Sequence, residues 1–437
     1  MMVFAAARRF PVFSGLAVAA LLLAGASYST PVPTHSHATA PANRIWLATD
    51  GTDSNCARNN PNRPCATFDR AFAMAHGGDT VLVAPGKYPM TDQRGGATGI
   101  HGAKPQPVTF ACGGHGDVTF AASVFAFYPG TSGVTFRGGC FRFHVPTFGF
   151  GGYSGRTSNV VLDGVHMDSF ECAGCANVTI RRSEIGPVDA CGGASYSDAR
   201  SRCDPANPVE AYYATRSAGT TDLQVEPFIH NGAAGRAVRV ALIADRIHGI
   251  QTRNSGVWHA GGLLIWNTDG LVIRGNTFDH NAIYDIEENA DSVDSNMTIE
   301  GNVFGWPVYP YDGDSNDGHE TPNAWREIDL GGAATLSNAL IRYNGFAHGA
   351  LFRPDGSFHN VQVIGNVLGS ASVCANDVVV DRNVFVGHSC GTNALRVSSF
   401  PYLDYKANDF RLKPKSSAAC FLASVRASKV DKRSCKR

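Results

Sequence analysis

The sequence has no excess of charge of either sign: 37 Lys and Arg residues face 37 Asp and Glu in 437, and charged residues make up only 17% of the chain. A chain so balanced has no global field to draw a nucleic acid or an anionic membrane surface, so neither is expected as a partner and any ligand must be selected locally. Long apolar runs are also missing. The stretch from Phe13 to Ala26 is shorter than the roughly 18–20 residues that span a bilayer, and no later segment is apolar for long enough. Membrane insertion is therefore not expected. Leu-rich helical stretches are few, whereas Gly (48) and Phe (25) are abundant, a composition that points to a turn-dense β protein.

Arg8 and Arg9 precede the apolar stretch, and Ala24-Gly25-Ala26 supplies a small-residue cleavage site. Residues 1–26 thus read as a cleaved signal peptide of a secreted protein. Residues 27–43, rich in Pro and Thr, read as a flexible spacer, and 44–437 as a single folded domain. All 12 cysteines lie beyond the spacer. An even number in an exported chain favours disulfides, and near pairs suggest 56 with 65, 112 with 140, 191 with 203, 374 with 390 and 420 with 435. Cys172 and Cys175 form a CxxC with no second CxxC or HxxxH, leaving both a structural role and a zinc site open.

The chain repeats itself. A motif of alternating apolar residues followed by a Gly-like position, Asn and a large apolar residue begins at 133, 159, 177, 239, 270, 296, 338, 360 and 377. Alternation sends the first and third apolar residues to one side and the intervening polar residues to the other. One such strand cannot bury its apolar face alone, so the copies are expected to stack as coils of a solenoid. Asn276, Asn302, Asn344, Asn366 and Asn383 share one place in their copies, with Ser183 and Asp245 there in two others. They are expected to form a structural hydrogen-bond ladder and to carry no chemistry.

The stretch Ala48 to Tyr88 (ATDGTDSNCARNNPNRPCATFDRAFAMAHGGDTVLVAPGKY) and the closing Asp409 to Cys420 (DFRLKPKSSAAC) resemble the two ends of proteins in the pectate-lyase-like right-handed parallel β-helix superfamily. Ala418 to Cys420 depart from the usual ending. The resemblance covers about residues 44–418 and implies an all-β solenoid with an entry cap over 44–90 and a closing cap over 400–437. The residues agree: Thr67 can N-cap a helix over Phe68 to Ala75, Gly77-Gly78 can end it, and Asp79 to Val83 can start the first strand.

The resemblance further implies that ligands lie along one sheet, on the outer face of the strand preceding each motif copy. Those strands contain Phe228 to His230, Leu263 to Trp266, Tyr284 to Glu287, Glu327 to Leu330, Leu351 to Arg353 and Leu395 to Val397. If Ile286, Ile328 and Leu330 point inward, Asp285, Glu287, Glu327 and Asp329 point outward, with Trp266 one coil before and Arg353 one coil after. Four close carboxylates repel one another unless a cation, a shared proton or a basic partner relieves them. Three functional readings follow. The first, placed ahead, is β-elimination of an acidic polysaccharide by these four residues, holding Ca²⁺ and assisted by Arg353 or His259. Glycoside hydrolysis by a carboxylate pair is the second. The third is a non-catalytic carbohydrate-binding or surface scaffold with Trp266 and Trp258 as stacking platforms. Arg396 is a further candidate substrate contact. In the plain structural alternative the acids pair with Arg326, Arg274 and Arg342.

His230 and His280 are weaker candidates for a base. The insertion from Trp306 to Trp325 could wall the site or bind Ca²⁺ through Asp312, Asp314 and Asn316, although Asp317 stands where an EF-hand loop needs Gly. Asn267 to Gly270 spells the NTDG of polygalacturonases, but the DD, GHG and RIK of those enzymes are missing, as are the WxDH and RxPxxR phrases of the best-known pectate lyases. The expectation is thus a secreted, monomeric polysaccharide-active β-helix with no reaction named by motif.

Overall fold

Alternating Val and Ile in each motif copy, bounded by Gly and Asn turns, folds as the sequence pattern dictates: every copy is a strand, and the strands pair in parallel from one coil to the next. The computed structural model describes residues 43–91, 97–122, 124–149, 155–190, 227–252, 261–279, 281, 284–305, 326–330, 334–347, 350–352, 356–369, 374–387, 389–404 and 409–426. Three long parallel sheets run along it. The motif strands lie in the first, ordered by sequence from Arg44–Leu47 to Val378–Asp381. A second, short-stranded sheet follows the Asn turn, and a third, hereafter the groove sheet, runs from Ala97–Ile100 to Ala350–Phe352. One coil passes from Leu264–Trp266 in the groove sheet through Val272–Arg274 and Thr277–Asp279 before returning at Tyr284–Glu288. The protein is a right-handed parallel β-helix.

Strand register stacks like side chains over like. Leu162, Ile180, Leu242, Ile273, Ile299 and Ile341 are successive partners and are all buried. Near the N-terminal end the interior is filled by phenylalanine: Phe110 stacks on Phe136 at 4.8 Å, Phe120 on Phe143 at 5.0 Å and Phe127 on Phe148 at 4.8 Å. Each fully buried Phe contributes about 2–3 kcal/mol of transfer free energy.

At the turn after each motif strand, Gly275, Gly301 and Gly365 adopt positive φ and deliver the following Asn inward. Asn276 donates from its backbone N–H to Asn302 Oδ1 (2.9 Å) and from Nδ2 to Leu242 O (3.0 Å). The pattern repeats from Asn302 to Asn344, Asn344 to Asn366 and Asn366 to Asn383. Asp245 and Ser183 continue it: Ser183 N–H donates to Asp245 Oδ1, and Asp245 N–H to Asn276 Oδ1, each at 2.8 Å. A second, exposed ladder stands at the first residue of the motif, which the sequence reading did not identify. Asn159, Asn177, Asn296, Asn338 and Asn360 all have φ near +55° there. Asn177 donates to Asn159 and Asn360 to Asn338, both at 3.0 Å.

The entry helix spans Phe68–Met74 with Thr67 as N-cap, its Oγ1 accepting from Arg70 N. Asp53 holds the approach, accepting from the N–H groups of Ala66 and Thr67 and from the Thr67 hydroxyl. Phe68 and Phe72 cover the first coils, leaving no open apolar end. The other end is closed by an antiparallel pair, Tyr402–Asp404 with Asp409–Leu412, and by a helix, Ser417–Arg426, that the sequence reading did not foresee. Disulfides join Cys56 to Cys65, Cys112 to Cys140 and Cys374 to Cys390, as the spacing suggested. Cys172 and Cys175 bond to each other, which removes the zinc reading. Cys420 is also disulfide-bonded, whereas Cys191, Cys203 and Cys435 lie outside the described residues. Among the described residues no cysteine is free and no helix is long and apolar enough to cross a membrane. Residues 1–42, which hold the expected signal peptide and nearly all of the expected spacer, also lie outside them.

Candidate functional site

Register fixes which side chains share the outer face of the groove sheet. Thr147, Glu171, Phe228, Leu264, Glu287 and Asp329 are successive partners across six strands. Two residues further along, Ala173, His230 and Trp266 form the neighbouring column. Ile286, Ile328 and Leu330 are fully buried on the inner side. Glu288 joins that inner side with Ile265 as its partner and is 2% exposed, a buried acid that alternation alone did not reveal.

The four expected carboxylates fall into two register pairs. Glu287 is the partner of Asp329, and Tyr284 and Ile286 are the partners of Arg326 and Ile328, which sets Asp285 beside Glu327. The pairs differ in their surroundings. Asp285 and Glu327 are 1% and 0% exposed, so the expectation of four acids on one open face is corrected. They sit at the corner entering the groove sheet, where Asn281 Nδ2 donates to Asp285 Oδ1 at 2.9 Å. Burial first, and the nearby Glu327 charge after it, hold the Asp285 carboxyl well above the usual carboxylate range. A raised Asp285 carboxyl eases the repulsion with Glu327 that a cation was expected to relieve. Glu287 is half-buried, whereas Asp329 at 6% exposed is buried almost as fully as the first pair.

This division bears on calcium. A hard cation needs several oxygens converging on one point, and no group of three or more His, Cys, Asp or Glu among the described residues is arranged to hold a metal ion. The four-carboxylate calcium site is therefore not formed by these side chains.

Other residues enlarge the site. His230 Nε2 lies 3.1 Å from Glu171 Oε1, its Nδ1 lies 2.7 Å from Asn231 O, and its ring stacks on Phe228 at 4.1 Å. Both ring nitrogens face acceptors, so both contacts are made only when both nitrogens carry protons. His144 Nδ1 meets Asp168 Oδ2 at 2.8 Å one coil before Glu171. Trp266 is half-buried, with its indole N–H buried and given no hydrogen-bond partner among the described residues. Glu171, His144 and Asp168 were not singled out from the sequence. Looking upstream of the copy beginning at Asn177, by the same rule that found Glu287, leads to Glu171-Cys172-Ala173.

Not every expected contact gathers here. Arg396 is exposed on Leu395–Val397, which pairs with Val384–Val386 in the short-stranded sheet and is remote from the groove sheet. No motif copy follows it, so the upstream rule had no groove strand to find. Arg274 and Arg342 both bond Glu300, at 3.1 and 2.9 Å, instead of the groove acids. Asn267 to Gly270 turns the corner into the motif strand, with Thr268 bonded to Asp294. Trp258, His259, His280, Arg353, the Arg326 side chain and the insertion 306–325 lie outside the described residues.

No family model and no curated protein matches the chain. Solved structures do. The chain is similar to pectate lyase Pel9A (13% identity over 86% of this chain and 90% of that one, TM-score 0.41) and to a rhamnogalacturonan lyase (12%, 83% and 90%, TM-score 0.36). It is also similar to PfbA, a surface adhesin of Streptococcus pneumoniae (13%, 73% and 80%, TM-score 0.38). Likenesses this distant say nothing about reaction or ligand.

Proposed function

We propose that the protein is a secreted glycan-active enzyme that binds a polysaccharide along the groove sheet and cleaves it hydrolytically, with Glu287 and Asp329 as the reacting pair. The observation that carries this reading is their register. Partners on adjacent coils stand about 4.8 Å apart at the backbone, which matches the roughly 5–5.5 Å carboxyl separation of retaining glycosidases rather than the wider inverting arrangement. One carboxylate attacks the anomeric carbon while the other protonates the leaving oxygen; water, activated by the second, then releases the sugar. Asp285 and Glu327, buried two residues earlier on the same strands, position this pair. Trp266, half-buried with His230 beside it, offers a ring face to a sugar. Hydrolysis is placed ahead of the β-elimination expected from sequence because two side-by-side carboxylates suffice for it, whereas the described residues offer no cluster of three or more acids for the cation that elimination was expected to use. Disulfide-bonded cysteines fit an oxidising, extracellular compartment.

The test is a panel of neutral and acidic polysaccharides assayed for reducing ends, for ultraviolet absorbance of unsaturated ends and, by NMR, for the anomer first released. New reducing ends without absorbance, with retained configuration, are expected. Glu287→Gln and Asp329→Asn should each lower turnover by about 10²–10⁴-fold. Unsaturated ends would replace hydrolysis with β-elimination, and binding without cleavage would leave a carbohydrate-binding scaffold.

A further inference from the structure

The turn that carries the buried Asn ladder has a second, outward column made by the last residue of each motif strand. From Arg137 to Arg342 these are, in register, Arg137, Asp163, Arg181, Ile243, Arg274, Glu300 and Arg342, and beyond them stand Ile364 and Asp381, the latter paired with Arg382. Over the stretch to Arg342 the next position is glycine in most turns and Arg182, Ala244 and Tyr343 in the others, at φ +52°, +57° and +59°, a conformation L side chains rarely adopt. The result is a ridge of five guanidiniums sharing two carboxylates, which leaves three net positive charges on one edge of a protein whose overall charge is zero.

The guanidiniums stay accessible. Asp163, 2% exposed at its side chain, is bonded by Arg181 and Arg182 and approached by Arg137 at 3.8 Å, yet those arginines remain 40%, 64% and 61% exposed. Glu300 bonds Arg274 and Arg342, which are 52% and 37% exposed. An arginine spends one or two of its five N–H donors on such a pair and turns the rest to solvent. The acids act as spacers that hold the cations at coil intervals. From Arg137 to Arg342 the column crosses six strand steps, roughly 29 Å. Arg342 lies 5.5 Å from the Tyr343 ring centroid, so the ridge also holds an aromatic ring.

We propose that this ridge is a second ligand surface, separate from the groove sheet, that binds a linear acidic polysaccharide lengthwise. Charge complementarity selects a polyanion, the periodic cations suit a chain with a repeating carboxylate, and the Tyr343 ring suits a sugar face. This does not depend on what the groove does.

The experiment measures binding of polygalacturonate, with uncharged dextran as control. It uses a Glu287→Gln/Asp329→Asn background so that groove chemistry cannot consume the probe. Arg137→Gln/Arg274→Gln/Arg342→Gln should weaken binding by roughly tenfold or more at low ionic strength and flatten its salt dependence. Glu300→Gln, which frees two guanidiniums and removes one opposing charge, should tighten it roughly twofold, an outcome that no misfolding produces. Arg396→Gln, an exposed arginine on another sheet, should change nothing. Unaltered affinity in the triple variant, weaker binding by Glu300→Gln, equal binding of dextran, or tighter binding of duplex DNA than of polygalacturonate would each overturn the proposal.

Discussion

The N-terminal coils and the C-terminal coils are held together by different physics on the same backbone path. In the first, Phe136 touches the rings of Phe68, Phe110, Phe125, Phe127, Phe141 and Phe143, with centroids 4.8–6.0 Å apart, and the ladder position holds no Asn. The Cys112–Cys140 disulfide crosses that edge instead. In the last coils one ring column remains, Phe278, Phe304 and Phe346, and the turn is tied by the Asn ladder from Asn276 to Asn383. Aromatic packing is non-directional and tolerates irregular turns, whereas a ladder demands that every turn repeat the same geometry. The carboxylate pairs stand in the ladder-built half, where repeated turns fix the coil register and hold Glu287 against Asp329.

The largest test of this contrast is Phe136→Ala, which opens a cavity among six rings. It should cost about 3–5 kcal/mol, and hydrogen exchange should show the loss of protection concentrated in the N-terminal coils. Asn302→Ala comes next. It removes the side-chain partners of Asn276 N–H and Ile273 O and the side-chain bond to Asn344, leaving only the backbone N–H of residue 302 to donate to Asn344. The expected loss is about 2–4 kcal/mol, with exchange spreading through neighbouring C-terminal turns while the Phe coils stay protected. Uniform loss in either variant would show that the two halves unfold as one.

The smallest effect has a sign set by pH. Asp245 occupies the ladder where its neighbours have Asn, and burial pushes its carboxyl up to about 7. Between the ordinary value of 3.8 and about 7 the folded state holds the proton more tightly than the unfolded chain, so stability falls as pH rises through that window. Asp245→Asn removes the titration. Its melting temperature should exceed that of the parent above pH 7, by a difference worth roughly 1–2 kcal/mol, and the advantage should shrink towards pH 4. An equal shift at both pH values would place the effect in packing instead of ionisation.

Much of this architecture was legible before any coordinates. The period-two motif named the strands, the shared Asn position named the ladder, and Thr67 named the start of the entry helix. The site was legible in part: alternation set Asp285, Glu287, Glu327 and Asp329 together on neighbouring coils, but it could show neither their pairing in register nor the burial of Asp285, Glu327 and Asp329. Nor could it show that Arg396 belongs to another sheet, because the same short apolar strand occurs in all three.

Sequence by itself determined the coil, since turn chemistry and alternation act within a few residues of one another. Only tertiary structure decided protonation, access and partnership. The Asp285 carboxyl is raised because the fold buries it, and Arg274 bonds Glu300 because the coil that follows brings it there. Those effects arise between coils far apart in the chain, where local pattern carries no information.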